Sequence, residues 1–171
     1  HCVRVNGADI EAIAASRSTV AHCPISNAKL AHGIAPLGEM LDAGIAVGLG
    51  TDSMASNNRM HLLEESRAAV LAQRARTGHH DVLSAARALE LATLGGARAL
   101  GLDDRVGSLE VGKEADLAAF DLSSLAGSAA ADPEAALVFA LGAEPARFVA
   151  VAGIARVWNW ELLNEALELD C

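Results

Sequence analysis

Residues 45–50, I-A-V-G-L-G, form a short and almost wholly apolar run that stops abruptly at Thr51, Asp52 and Ser53. A run of this length suits a strand buried on both faces, as in a parallel sheet covered by helices. The neighbouring sequence keeps to the same plan. Residues 1–5 read as the end of a strand and Asn6-Gly7 as a turn. Residues 8–16 put Ile10 and Ile13 on one helical face with Ala14 beside them. Residues 18–21 make a short strand that His22-Cys23-Pro24 ends, because Pro24 cannot donate to a ladder. Residues 26–35 read as a loop of small and polar residues. Pro36 opens a helix striped by Leu37, Met40 and Leu41, and Gly44 ends it. Past the central strand, Ser56, Asn57 and Asn58 are expected to cap a long helix over residues 59–76, closed by Thr77-Gly78. Alternation of this kind means βα units on a parallel sheet, with right-handed connections and helices outside the strands.

Two shorter helices follow, one over residues 82–91 capped by Asp81 and one from Thr93 through Leu100, ended by Gly101. Gly95-Gly96 in the first turn of the second permits close packing. The character then changes. Residues 107–121 read as two short strands around a Gly-Lys turn, and residues 123–132 as a loop of small residues. Residues 133–141 are expected to be helical, residues 148–157 a hairpin, and residues 158–169 a short terminal helix.

With 171 residues the chain is one ordinary domain, or one domain and part of another. Its formal charge of -9, with no Lys/Arg cluster to offset it, argues against a nucleic-acid surface and suits a protein acting on small molecules. Cys2, Cys23 and Cys171 are odd in number and widely spaced, so free thiols in a reducing cytoplasm are the simplest reading. No apolar run approaches a membrane span. The first residue is His1 rather than Met, so the chain is expected to begin after processing or inside a longer protein.

Asp52 is the foremost candidate for chemistry, because an acidic residue just past a strand's C-terminal end sits where α/β barrels carry their active sites. The competing reading is a helix cap, since Thr51-Asp52-Ser53 is also good capping sequence. His1 is open as a ligand, an acid/base or an unremarkable residue, and His22 as a ligand or a histidine bonding a neighbouring loop. His1, His22 and Asp52 fall at the ends of successive strands, which converge on one mouth in a barrel. Two imidazoles and a carboxylate are the usual materials of a hydrolytic metal site, though three such groups do not complete a catalytic zinc site. His32, His61, His79 and His80 are weaker candidates, and Ser56 to Asn58 read as caps before ligand contacts.

H-C-V at 1–3, V-A-H-C-P-I-S-N-A-K-L at 20–30 and G-L-G-T-D-S-M-A-S-N-N at 48–58 resemble the amidohydrolase superfamily. A-T-L-G-G-A-R-A-L-G-L at 92–102 and G-S-L-E-V-G-K-E-A-D-L-A-A-F-D at 107–121 extend the likeness over about residues 1–157. The branch it resembles holds the cytosine, guanine and adenosine-type deaminases and chlorohydrolases. Its H-C-P-x-S-N and G-T-D-S-x-A-S-N-N forms are similar to methylthioadenosine/S-adenosylhomocysteine deaminases and aminodeoxyfutalosine deaminases. The resemblance implies an α/β fold: about strands six to eight, with helices, of a distorted (β/α)8 TIM-type barrel over residues 1–104, part of a small β-sandwich over residues 105–157, and a tail or helix over residues 158–171. It implies that Asp52 binds the metal and takes a proton from the attacking water. It gives His1 a catalytic hydrogen bond to that water, and a place on the metal only in a two-metal site. His22 and Ser53 become substrate-facing or supporting residues. The implied cofactor is a divalent metal, zinc before iron or manganese. The implied partners are a small-molecule substrate and the N-terminal barrel half. A homo-oligomer is compatible with the likeness, and neither nucleic acid nor membrane is expected. The family's H-x-H pair, its strand-five histidine and the deaminases' following glutamate are absent from these residues. The chain is therefore expected to be a C-terminal piece, inactive by itself. Hydrolytic deamination of a purine nucleoside-like or nucleobase substrate is the implied reaction. The alternatives are a chlorohydrolase or a non-catalytic module.

Overall fold

The computed structural model describes residues 1–123 and 132–168. Two short strands, β1 (Val20–His22) and β2 (Val47–Leu49), pair in parallel with Val20 opposite Val47 and His22 opposite Leu49. Side chains alternate across a strand, so Val20, His22, Val47 and Leu49 share one face. On that face lie α1 (Gly7–Ala15), α3 (Leu37–Asp42), α5 (Leu62–Thr77) and α6 (Ala85–Ala92), which contribute Ile10, Leu37, Met40, Val70 and Leu91 to one apolar core. The core is what fixes the register, because a slip by one residue would turn Val47 and Leu49 away from it.

The opposite face is covered at Gly48 by α7 (Leu94–Leu100). A Cβ on Gly48 would lie 2.6 Å from Gly96 Cα, and one on Gly95 would lie 2.8 Å from the Val47 carbonyl oxygen. Glycines are needed on both sides of this contact because backbone meets backbone there. Thr19 ties the same helix to the strand edge, donating to the Ala99 carbonyl at 2.8 Å.

The helix ends follow local chemistry. Asn6 and Asp9 form a reciprocal capping box at α1. Gly44, Gly78 and Gly101 take positive φ after α3, α5 and α7, as expected of glycine past a helix end. Three starts differ from the sequence-based expectation. Residues 26–29 are not loop: Pro24 both ends β1 and opens α2 (Pro24–Lys29), where its missing N–H costs nothing. Ser53, not Ser56 to Asn58, caps the next turn, a short α4 (Met54–Asn57) that Asn58 closes with φ 70°, so the long helix α5 starts only at Leu62. Ser84 rather than Asp81 caps α6, its hydroxyl accepting from the Arg87 N–H at 3.1 Å.

The second sheet is antiparallel, in the order β3 (Leu117–Ala119), β4 (Phe148–Val151), β5 (Ile154–Trp158), β6 (Glu161–Glu168). The expected hairpin within residues 107–121 is absent: only β3 forms, and it pairs with β4. The expected hairpin over residues 148–157 is present, turning at Ala152-Gly153 with φ 50° and 76°. Residues 161–168 are strand rather than helix. Asn159-Trp160, both at positive φ, turns the chain back so that β6 pairs with β5, and ladder formation overrides the helical preference of a Glu/Leu/Ala stretch. The helix expected over residues 133–141 is present as α8 (Pro133–Ala135) running into a π-helical turn, Ala136–Ala140. The loop expected at residues 123–132 falls mostly outside the described residues, as does Cys171. Cys2 and Cys23 are free thiols, and among the described residues no helix is long and apolar enough to cross a membrane.

Candidate active site at the end of the parallel strands

Gly50 donates its N–H to the His22 carbonyl at 2.9 Å, the last rung joining the two parallel strand ends. Thr51 and Asp52 follow immediately. Asp52 takes φ 59°, a left-handed geometry that costs a non-glycine residue of order 1–3 kcal/mol, with aspartate at the low end because its short side chain bonds locally. Its Oδ2 accepts the Ser26 hydroxyl at 2.7 Å. The Ser26 hydroxyl first, then the Ser56 hydroxyl and the Ser53 N–H, hold the Asp52 carboxyl below the usual aspartate range, so it is ionised at neutral pH.

His1 stands across from it, with Nε2 3.8 Å from Asp52 Oδ2. The other ring nitrogen, Nδ1, is 2.8 Å from Asn27 Oδ1. In the tautomer with its proton on Nδ1, the ring donates to that amide oxygen and leaves Nε2, on the Asp52 side, as an acceptor. Both side chains are a third exposed. Ser26 and Asn27, which hold the pair, are buried neighbours in α2. The unforeseen helix is therefore what aims both functional candidates.

His22 is not brought to this pair. Its side chain is buried on the helix-facing side, where it lines a cavity of about 230 Å³ with Pro24, Asn27, Ile34 and Ala72. Neither ring nitrogen has a protein partner, and burial pushes its pKa down from 6.5 to about 4. The unfolded chain binds a proton at His22 below about pH 6.5, whereas the folded chain does so only below about 4. Stability from this residue is complete above the first value and is lost as the pH falls towards the second, by an amount of order 3 kcal/mol. Urea titrations across that window are expected to show this slope, and His22→Phe to remove it. An equal slope in His22→Phe would assign the effect to other groups. Ser53 caps α4 by accepting from the Ala55 N–H at 3.2 Å, and remains exposed at the site's rim. His61 meets the Glu144 carbonyl at 3.3 Å, away from the pair. Cys23 lies under Gly50, and burial followed by the Asp52 charge pushes its thiol up to about 11. It is therefore a packing residue and no nucleophile.

The sequence reading placed Ser26 and Asn27 in a loop of small and polar residues and did not single out Glu65. An acidic residue among the inward positions Leu63, Ser66, Ala69 and Val70 of α5 was the available signal for Glu65.

A carboxylate oxygen and an imidazole nitrogen suit a divalent cation such as zinc. Among the described residues no group of three or more His, Cys, Asp or Glu side chains gathers closely enough to hold one. Asp52 could hold such an ion as one member of a ligand set, with His1 beside it.

The Amidohydrolase family matches residues 1–155. A 5-methylthioadenosine/S-adenosylhomocysteine deaminase of Desulforudis audaxviator is 47% identical over 153 residues, covering 90% of this chain and 36% of that protein. Among solved structures, an adenosine deaminase from Xanthomonas campestris with bound zinc superposes with TM-score 0.92 at 39% identity, over 96% of this chain and 38% of the other. An atrazine chlorohydrolase from Arthrobacter aurescens complexed with zinc gives 0.90 at 34% identity, over 96% and 37%. The chain spans about a third of the length of the curated relatives it matches.

Proposed function

The chain belongs to the amidohydrolase family, and on that premise we propose that the full-length protein hydrolytically removes an amino group from a purine nucleoside-like substrate. The observation that carries this reading is the opposition of Asp52 and His1 at the parallel strand ends, on a chain 47% identical to a deaminase of that substrate class. In this reading residues 1–104 are the last βα units, about strands six to eight, of a (β/α)8 barrel. Residues 105–157, with β6 added, belong to a small sandwich. The βα order and the antiparallel second sheet support that division. The remaining barrel strands and further metal ligands belong to the rest of the protein, whose place is the cytoplasm.

Asp52 accepts a proton from the attacking water, for which an ionised carboxylate is suited. His1, held through Asn27, turns Nε2 to the same water and orients it. The water oxygen bonds to the ring carbon, the bond from that carbon to the amino nitrogen breaks, and Asp52 returns its proton to the departing ammonia. A bound divalent cation, zinc first, with Asp52 among its ligands, supplies a lower water pKa and polarising charge. Ser53 lies at the rim where a substrate would pass, and His22 supports α2 from behind.

The test is ammonia release by the full-length protein from 5′-methylthioadenosine, S-adenosylhomocysteine and adenosine, with atrazine as competitor substrate. Ammonia from a nucleoside is the expected result. Chloride release from atrazine with no ammonia from any nucleoside would select the chlorohydrolase reading, with which the superposition on that enzyme is compatible. Residues 1–171 expressed by themselves are expected to show no turnover and weak zinc binding, since Asp52 with His1 nearby falls short of the usual three protein ligands. Stoichiometric zinc with turnover in that piece would contradict this.

A further inference from the structure

Glu65 has no part in the chemistry above, yet it is fully buried in α5. Both of its oxygens are used. Oε2 accepts the Ile25 N–H in the first turn of α2 at 3.1 Å, and Oε1 accepts from Asn57 Nδ2 at 2.5 Å. The same Asn57 amide donates to the Thr51 carbonyl at 2.7 Å. Thr51 is bonded to Asp52, whose carboxylate accepts from Ser26, and Ser26 is bonded to Ile25. The contacts close a ring: Glu65, Ile25, Ser26, Asp52, Thr51, Asn57 and back to Glu65. It encloses the one segment at this strand end where a non-glycine residue holds a positive φ ahead of α4, at Asp52.

We propose that Glu65 is the positioning residue of the site: through Asn57 and the Thr51 carbonyl on one side, and Ile25 on the other, it fixes the left-handed geometry in which Asp52 faces His1. The inference rests on the functional reading of Asp52 given above. A buried carboxylate is costly, and here burial raises the Glu65 pKa while the Ile25 and Asn57 donors oppose that rise. A glutamine of the same shape cannot replace it, because one of two converging donors would then face an amide N–H. An apolar residue would fill the space and leave the Asn57 amide half unpaired, free to release Thr51.

The experiment uses the full-length protein and compares Glu65→Gln, Asn57→Ala and Gln73→Met. Gln73 is buried on the same helix and donates to the Ala35 carbonyl at 3.0 Å, outside the ring, so its variant serves as a control for stability alone. Zinc affinity is read by chelator competition, kcat and KM by ammonia release, and folding by thermal unfolding. Opening the ring at Glu65 or at Asn57 is expected to weaken zinc binding and lower kcat by roughly 10–100-fold each, with KM changed by no more than about threefold. Gln73→Met is expected to lower the unfolding temperature and leave zinc affinity and kcat at the parent level. The inference is overturned if Glu65→Gln folds and keeps parental zinc affinity and kcat. It is overturned equally if Gln73→Met loses as much of both as Glu65→Gln does. A parent protein that takes up no zinc and releases no ammonia overturns the functional reading, and the positioning role with it.

Discussion

Asp52→Asn is expected to lower the kcat of the full-length protein by roughly 10²–10⁴-fold, the range associated with loss of a positioned general base. Three observations make the substitution a clean one. Asparagine matches aspartate in size. It tolerates the positive φ of 59° at this position as well as any residue but glycine, so no backbone penalty is added. Its carbonyl oxygen still accepts the Ser26 hydroxyl. What disappears is the negative charge that three nearby donors stabilise, and with it the capacity to take a proton and to hold a divalent cation strongly, so zinc content is measured beside turnover. The amide nitrogen that replaces one oxygen cannot accept from those donors, so a small loss of stability is expected beside the large loss of turnover, in a site open to water. Steady-state turnover and urea unfolding on the same preparation separate the two effects. Turnover within about tenfold of the parent would remove Asp52 from the proton-transfer role.

The second large effect belongs to the scaffold. Gly48→Ala places a methyl carbon 2.6 Å from Gly96 Cα and 3.2 Å from Gly96 N. Both are backbone atoms, which cannot rotate aside as a side-chain end can. Either α7 lifts from β2 or the strand bends, and each answer disturbs the residues two positions before Gly50 and the site. Overpacking in a core costs about 1–3 kcal/mol, and a backbone collision belongs at the upper end. A fall in urea midpoint at unchanged denaturant slope is the expected signature. Gly7→Ala is the control: nothing lies within 4 Å of its added carbon, and it sits in the first turn of α1. There the change should be neutral or mildly stabilising, since alanine loses less chain entropy on folding. Equal midpoints for Gly48→Ala and the parent would show that β2 and α7 separate at little cost.

The parts of the fold legible in the sequence are those written in local chemistry. Gly44, Gly78 and Gly101 marked helix ends because a left-handed residue past the last turn is a local need. Gly95-Gly96 marked a close approach, and the apolar run ending at Asp52 marked a strand with chemistry at its tip. The parts that were not legible depend on partners far along the chain. Pro24 satisfies two local rules at once, and only the buried contacts of Ser26 and Asn27 decide for a helix. Residues 161–168 favour a helix by composition, and only the ladder to β5 makes them a strand. The contact of His1 with Asn27 spans 26 residues, and that of Glu65 with Ile25 spans 40, so no window of sequence contains either. Motif likeness reached Asp52 and His1, and it contained Ser26, Asn27 and Asn57 without giving them a role, whereas Glu65 carried no signal beyond being polar where the pattern calls for apolar.

That dispersion has a consequence for inheritance. The ring through Glu65, Ile25, Ser26, Asp52, Thr51 and Asn57 draws its members from two stretches of chain separated by α3 and β2. A chimera with a relative whose crossover falls among residues 31–46 takes Ser26 and Ile25 from one parent and Asp52, Asn57 and Glu65 from the other. A relative that differs at any one of these positions then leaves a donor or an acceptor of the ring unmatched. A crossover at residues 78–80, past Glu65, carries the set across intact. Residues 25–65 are in this sense a single heritable unit, and segment exchange among relatives is expected to preserve the ring when that unit is moved whole.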